Sequence, residues 1–376
     1  MNITEKLNSI IETKEAIKTS LQNKGVEVLD TDPFASYAEK IDSIEAGGDW
    51  TEYFKPTIKG DTTSSNIGWK KAMLKLPPFE LDGTLACGTY RTFEGTDIDL
   101  SKMDISNATN LGGMFEGCKN VKELDLSNFK THKATNIGSM FNGCSSMIKI
   151  DLSDFDTSNA QSMDTMFQNC SNLTELILPT SFVNESCTMG IHVMFKGCSS
   201  LTSLDLSGWK TKNVKYMRDM FNGCTKLANL NVTGWDLSAG PGMENIFSNC
   251  KALVDLDLST WDMSKIDGSQ YSTSVQNMFN GCTALTNLEF GTDLGKAFNA
   301  TSANFSYSHV NLSTCNVLTH DSLMSVINNL YDLNLTYDVA NGGTLYTQKL
   351  TLGTTNIAKL TEEEIAIATA KGWTVA

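Results

Sequence analysis

The 376-residue chain carries 29 lysines and arginines against 43 aspartates and glutamates, a formal charge of −14. That balance excludes a nucleic-acid backbone as the main partner, because binding by counterion release needs a surplus of cations. No stretch approaches the roughly 20 apolar residues of a membrane span.

Residues 1–48 predict a separate helical module. Ile3, Leu7, Ile10, Ile17 and Leu21 fall on four- and three-residue steps, with Lys14 filling one rung, which gives a heptad-like seam. Gly25 is the expected stop. Asp32-Pro33 then reads as an N-cap and first-turn pair opening a second helix with Phe34, Tyr37, Ala38, Ile41 and Ile44 on one face. Two short amphipathic helices bury little surface alone. They either dock on the rest of the chain or join copies of it, or another protein. The pair Gly47-Gly48 separates them from the remainder and supports attachment and homo-oligomerisation, with a trimer as the candidate order. Residues 49–86 hold Trp50, Tyr53, Phe54, Trp69, Pro77 and Pro78 without a period and read as a β-rich connector.

From residue 87 to 300 the sequence repeats. The phrase Met-Phe-x-Gly-Cys, or a near variant, ends at Cys118, Cys144, Cys170, Cys198, Cys224, Cys250 and Cys282, in steps of 26, 26, 28, 26, 26 and 32 residues. Each copy is succeeded by an LxxLxL-like run, from Val121-Leu124-Leu126 to Leu285-Leu288-Phe290. A period in this range predicts a solenoid, because one unit cannot bury its apolar face alone. The expected fold is an α/β repeat solenoid of leucine-rich-repeat type, its stacked coils sharing a parallel β-sheet on one face. A small helical module precedes it and an α/β cap closes it. Residues 93–105 form a degenerate first unit. The leucine runs should be short strands, and segments such as Thr135–Met140 should be short helices or 3₁₀ turns. The glycine or asparagine before each cysteine suits a chain reversal. A cysteine in one position of every unit is a packing residue, predicting buried reduced thiols. A straight ladder lacks the convergence a metal site needs.

Near residue 291 the repeat fails, and residues 301–376 read as the cap. Thr319–Leu330 predicts a helix, Leu345–Leu352 a strand, and Thr361 with Glu364 a capping box, closed by Lys371-Gly372.

Two repeating features are candidate binding surfaces. The outward strand positions, Glu123, Asp125, Lys149, Asp151, Glu175, Asp205, Asp255, Asp257 and Glu289, would form an acidic stripe if the coils stack in register. Either Ser and Thr neighbours and water satisfy these carboxylates, or a basic partner or calcium does. The aromatic positions ending in Trp209, Trp235 and Trp261 would be either a sugar-stacking platform or a core spine. The four histidines are scattered, and no phosphate loop, zinc-protease or nucleophile-elbow motif is present. The chain is therefore expected not to be an enzyme and to need no cofactor.

The phrase LDLSxFxTxxxxxMxxMFxGCxxLxxLDLS, as at Leu124–Leu152, resembles the BspA-like leucine-rich-repeat family of bacterial surface proteins over about residues 93–290. The closing LTLGTTNIAKLTEEEIAIATAKGWTV is similar to a tail common among such proteins in gut bacteria and their phages. The stretch IIETKEAIKTSLQNKGVEVLDTDPFASYAEKIDSI resembles a short helical module at the front of phage tail and other virion proteins. These resemblances imply a solenoid that binds a host-surface protein or glycan. The opening MNITEKLNSI lacks the pattern of a secretory signal, and no wall or membrane anchor is seen. That favours a virion component (a tail or head fibre, decoration or receptor-binding protein) assembled in the bacterial cytoplasm and joined to a tail or capsid protein through residues 1–48. A bacterial surface adhesin or interaction protein is the alternative.

Overall fold

The computed structural model describes residues 14, 15, 17–19, 90–98, 100, 105–179, 181–266, 275, 277–294, 310–335 and 348–376. Of the expected N-terminal seam Ile17 and the rung-filling Lys14 fall among them, both half-buried on a helical stretch in which Thr19 Oγ1 donates to the Glu15 carbonyl. Ile3, Leu7, Ile10, Leu21, Phe34, Tyr37, Ile41 and the connector 49–86 lie outside the described residues.

The repeats stack as a solenoid. Phenylalanines of the recurring phrase pile face to face, from Phe115 on Phe141 through Phe167, Phe195, Phe221 and Phe247 to Phe279, with ring centroids 5.4–5.9 Å apart. Every one of these rings is buried. Full burial of each stabilises by about 1.5–3 kcal/mol, and each ring is covered mainly by its counterparts one coil away. The leucines of the LxxLxL runs close the same core, with Leu126, Leu152, Leu206 and Leu258 buried.

The strands are short. β1 (Lys149–Asp151) pairs in parallel with β2 (Glu175–Ile177), β3 (Ser203–Asp205) with β4 (Asn229–Asn231), and β5 (Asp255–Asp262) with β6 (Asn287–Thr292). The expected continuous sheet is thus three two-stranded pieces. A three-residue strand offers few ladder bonds before the chain turns away.

The segments expected as short helices are instead a second ladder. Leu111, Gly113, Phe115 and Gly117 donate their N–H groups to the carbonyls of Asn136, Gly138, Met140 and Asn142 in the next coil at 2.7–2.9 Å. Between them, Met114 and Glu116 bond back to Leu111 and Gly113 within the coil. The pattern recurs from Ile137, Met163, Ile191 and Met217 onward. A helix spends consecutive N–H groups on its own carbonyls; here alternate ones are spent on the neighbour, so no helix forms.

Two left-handed residues per coil allow this. The residue before the cysteine is glycine at φ 74–82° (Gly117, Gly143, Gly197, Gly223, Gly281) or asparagine near 60° (Asn169, Asn249), the types that tolerate positive φ. Four residues earlier a second such position holds Gly113, Ser139, Thr165, Val193, Asp219, Asn245 and Asn277. Val193, at φ 61°, is β-branched and carries a local cost of about 1–2 kcal/mol.

The cysteines add a third repeating bond. The thiols of Cys118, Cys144, Cys170, Cys198, Cys224, Cys250 and Cys282 are free, fully buried and donate to the aromatic residue's carbonyl in the preceding coil at 3.0–3.2 Å. Burial pushes the Cys170 and Cys224 thiols up to about 12, so they stay protonated and keep donating. Cys315 joins the series by donating to the Phe279 carbonyl at 3.4 Å. The stacking thus continues past residue 291, where the sequence pattern breaks.

The C-terminal region forms a three-stranded parallel sheet of β7 (Val310–Asn311), β8 (Gln348–Thr351) and β9 (Trp373–Val375), ordered β7-β8-β9. Helix α1 (His320–Asn329), N-capped by Thr319, lies along the exposed edge of β6. There Ser322 Oγ accepts the Leu288 N–H at 2.9 Å and Ser325 Oγ accepts the Phe290 N–H at 3.0 Å. Thr314 Oγ1 accepts the Gly281 N–H of the second ladder at 2.8 Å. The short helix α2 (Thr354–Ile357) places Asn356, wholly buried, to donate to the carbonyls of Leu312, Cys315 and Leu352. Helix α3 (Glu362–Ala370) begins in the Thr361–Glu364 capping box.

Candidate binding surfaces

The tryptophans are not a platform. Trp209, Trp235 and Trp261 stack on one another at 6.0 and 5.8 Å inside the solenoid and are 3%, 2% and 1% exposed. Trp235 and Trp261 donate their indole N–H groups to the carbonyls of Leu206 and Val232 one coil back. Buried indoles need such a partner, and with it satisfied the rings cannot meet a sugar.

The acidic stripe is interrupted. Register pairs Lys149 with Glu175, Asp151 with Ile177, Asp205 with Asn231 and Asp255 with Asn287, leaving Asp257 beside Glu289 as the like-charged pair among these strand partners. Lys149 Nζ lies 2.6 Å from Glu175 Oε1, and Asn287 Nδ2 donates to Asp255. The aspartates also close local turns, with Asp125 and Asp205 each accepting both the N–H and the hydroxyl of the serine two residues on. Asp151 and Asp257 accept the corresponding N–H of Ser153 and Ser259. Among the described residues no three His, Cys, Asp or Glu side chains converge as a metal-binding set. Asp125 and Asp151 border a shallow depression of about 240 Å³ with Asp154, Ser127 and Ser153.

Ser158, Ser238 and Ser264 make the same N–H contact to Asp156, Asp236 and Asp262, and the serine contacts hold Asp125, Asp205, Asp156, Asp236, Asp151 and Asp262 below the usual carboxylate range. A carboxylate whose folded value is depressed contributes stability that is present above its unfolded value and lost as pH falls through the folded one. Urea melts should therefore show this carboxylate contribution constant near neutrality and lost below about pH 4. Asp205→Asn, which keeps an acceptor for Ser207, should decline less steeply; an identical acid profile would show that the turn contributes nothing.

A further surface is hidden when each repeat is read singly. Aligned on the cysteine, one outward column reads Asn110, Asn136, Ser162, Gly190, Tyr216, Gly242, joined by parallel bridges at every step but that from Gly190 to Tyr216. Ile191 and Val193 donate to the Tyr216 and Arg218 carbonyls, which sets the latter coil in register. The column two residues on reads Gly112, Gly138, Asp164, His192, Arg218, Glu244. The first two coils are small and polar, whereas the later ones carry an aromatic and charges. Asp164 Oδ1 accepts the His192 N–H at 3.1 Å and lies 2.6 Å from His192 Nδ1. The His192 ring meets Tyr216 edge-on at 6.2 Å. A side chain at position 190 would strike Tyr216 Cβ and the Asp164 carboxylate, which explains Gly190. Ser162 donates to Asp164 and not to the imidazole, so the trio does not activate a hydroxyl. Of the remaining histidines, His320 pairs with Glu364 at 2.8 Å on the C-terminal helices.

Stacked coils with inward leucines and short parallel strands define a repeat solenoid of leucine-rich type. Residues 87–190 and 189–309 match the family described as "Mycoplasma protein of unknown function, DUF285", and the chain belongs to that family. No curated protein matches it. Solved structures similar to it include a leucine-rich-repeat protein from Eubacterium ventriosum, at 22% identity over 40% of this chain and 37% of that one, with a TM-score of 0.29. Another, from Bacteroides ovatus, shows 14% identity over 66% of each chain and a TM-score of 0.25. A leucine-rich-repeat protein of Leptospira interrogans shows 11% identity over 84% of this chain and 75% of that one, with a TM-score of 0.26. The chain thus spans little more than a third of the Eubacterium protein.

Proposed function

We propose that the protein is a non-enzymatic recognition scaffold, an adhesion protein that presents a stiff solenoid surface to a host-surface protein or glycan. The supporting observation is the contrast between columns: interior Phe, Cys and Leu positions repeat coil after coil, while the outward columns diverge from Asp164 to Glu244. Interior uniformity is what stacking demands; outward divergence is what a specific partner would demand. A pre-formed surface loses little entropy on binding, and display in many copies would raise avidity.

Labelled full-length protein should bind intact bacteria or their extracted envelopes saturably; failure to do so on either would overturn the recognition role. The setting proposed is a phage particle, with residues 1–48 joined to a tail or capsid protein as a homo-oligomer, and the support is the resemblance of that stretch to virion modules. A bacterial surface is the alternative. Immunogold label on particles supports the first; label confined to the bacterial envelope removes it and leaves the recognition role standing.

A further inference from the structure

We infer that Asn280 is a site of spontaneous deamidation whose rate is set by the hydroxyl of Thr314, an inference independent of the recognition role above. The chain repeats one phrase, Met-Phe-Asn-Gly-Cys, at Asn142-Gly143, Asn222-Gly223 and Asn280-Gly281. Asparagine before glycine is the pair in which the following amide nitrogen reaches the asparagine side chain most easily, because glycine has no Cβ to obstruct the approach. The three glycines sit at φ 74°, 82° and 78°, so sequence and backbone are alike at all three. What differs is how firmly each pair is held.

The Asn142 side chain donates to Glu116 Oε1 at 3.3 Å. That of Asn222 donates to Asp219 Oδ1 at 2.7 Å and accepts from Asn249 Nδ2 at 3.2 Å. Both residues are half-buried, whereas Asn280 is exposed and its side chain makes no hydrogen bond among the described residues. The glycine N–H groups show the same contrast. Gly143 and Gly223 donate to the backbone carbonyls of Gln168 and Ser248 in the next coil at 2.7 and 2.9 Å, but Gly281 donates to the Thr314 side chain at 2.8 Å. A backbone carbonyl moves only with its coil, while a hydroxyl leaves by one rotation about χ1. Asn280 thus has a free side chain beside a nitrogen that is readily released.

In the reaction, hydroxide takes the Gly281 amide proton and the nitrogen attacks Asn280 Cγ. The side-chain nitrogen takes a proton from water and leaves as ammonia, closing a five-membered succinimide. Water then opens the ring at either carbonyl, giving aspartate or isoaspartate. Isoaspartate routes the main chain through Cγ. It displaces the Asn280 carbonyl, which accepts the Asn249 N–H at 2.7 Å and the Ser248 hydroxyl at 3.2 Å, and so loosens the last regular coil against its neighbour.

The test incubates full-length protein at mildly alkaline pH and follows its tryptic peptides by mass spectrometry. Residues 134–149, 219–226 and 266–296 separate the three pairs, and Asn341-Gly342, outside the described residues, falls on a fourth peptide. Deamidation at Asn280 should outpace that at Asn142 and Asn222 by about tenfold, the factor that one or two side-chain hydrogen bonds supply. In urea the three rates should converge, because the local sequence is the same. Thr314→Val should accelerate the reaction at Asn280 and leave the other two unchanged. Equal rates at the three pairs in the folded protein, or product in 266–296 at a residue other than Asn280, overturn the site. A rate at Asn280 in Thr314→Val equal to the parent's overturns the role of the hydroxyl. Should Thr314→Val unfold, its three rates coincide, and the comparison within the parent protein decides.

Discussion

Trp235→Ala is expected to destabilise the fold by about 3–5 kcal/mol, the range for deleting a buried large aromatic. The indole is sandwiched between Trp209 and Trp261 and donates to the Leu206 carbonyl. Its loss removes two stacking contacts, opens a cavity and leaves the Leu206 carbonyl with the Trp209 N–H but without the indole donor. Stability of stacked repeats is close to a sum of unit and interface terms, so a break mid-stack weakens two interfaces at once. Urea denaturation followed by far-UV dichroism measures this, and Trp235→Phe should recover part of the loss. A change under about 1 kcal/mol in Trp235→Ala, the scale of an exposed position, would contradict the interior placement.

The second large effect is expected at the end of the strand stack. Ser322→Ala with Ser325→Ala removes the hydroxyls that accept the Leu288 and Phe290 N–H groups. Each donor left unpaired in a buried setting costs about 1–3 kcal/mol. The loss also loosens the cover over the edge of β6, and an uncovered edge pairs with other chains. The double variant should melt earlier and show concentration-dependent association in sedimentation velocity. An unchanged melt and a monodisperse boundary equal to that of the parent would show that α1 covers the edge by packing alone.

What the sequence revealed and what it concealed divide along one line. The cysteine register, the inward phenylalanines and leucines and the glycine or asparagine before each cysteine are set by nearest-coil packing, which any single repeat displays. The helix expected at Thr135–Met140 failed because Ile137 and Ser139 spend their N–H groups on the next coil and Thr135 and Asn136 spend theirs on Thr109 of the preceding one, a choice invisible in one unit's apolar spacing. Ile137, Met140 and Phe141 are all buried as the spacing implied, yet on a left-handed interruption at Ser139. Of the two readings offered for the outward carboxylates, engagement by serine neighbours is the one the turns display, and Asp125-Leu126-Ser127 already contained it, since Asp two before Ser is itself a turn signal. The tryptophan spacing was right and its direction open; the fused rings point inward because the core provides carbonyls for their N–H groups. Tyr216 stands out only when residues are compared down a column of coils, which a single unit cannot show.

The second ladder has one more consequence. The N–H groups of Leu111, Gly113, Phe115 and Gly117, and their counterparts up to Gly223, aim toward the C-terminal neighbour, while those of Thr135, Asn136, Gln161 and Met189 aim toward the N-terminal one. The stack is an oriented object whose two ends differ. Whole coils can be duplicated or lost by recombination without disturbing that orientation, and the reach of the rod becomes a heritable length set by counting units.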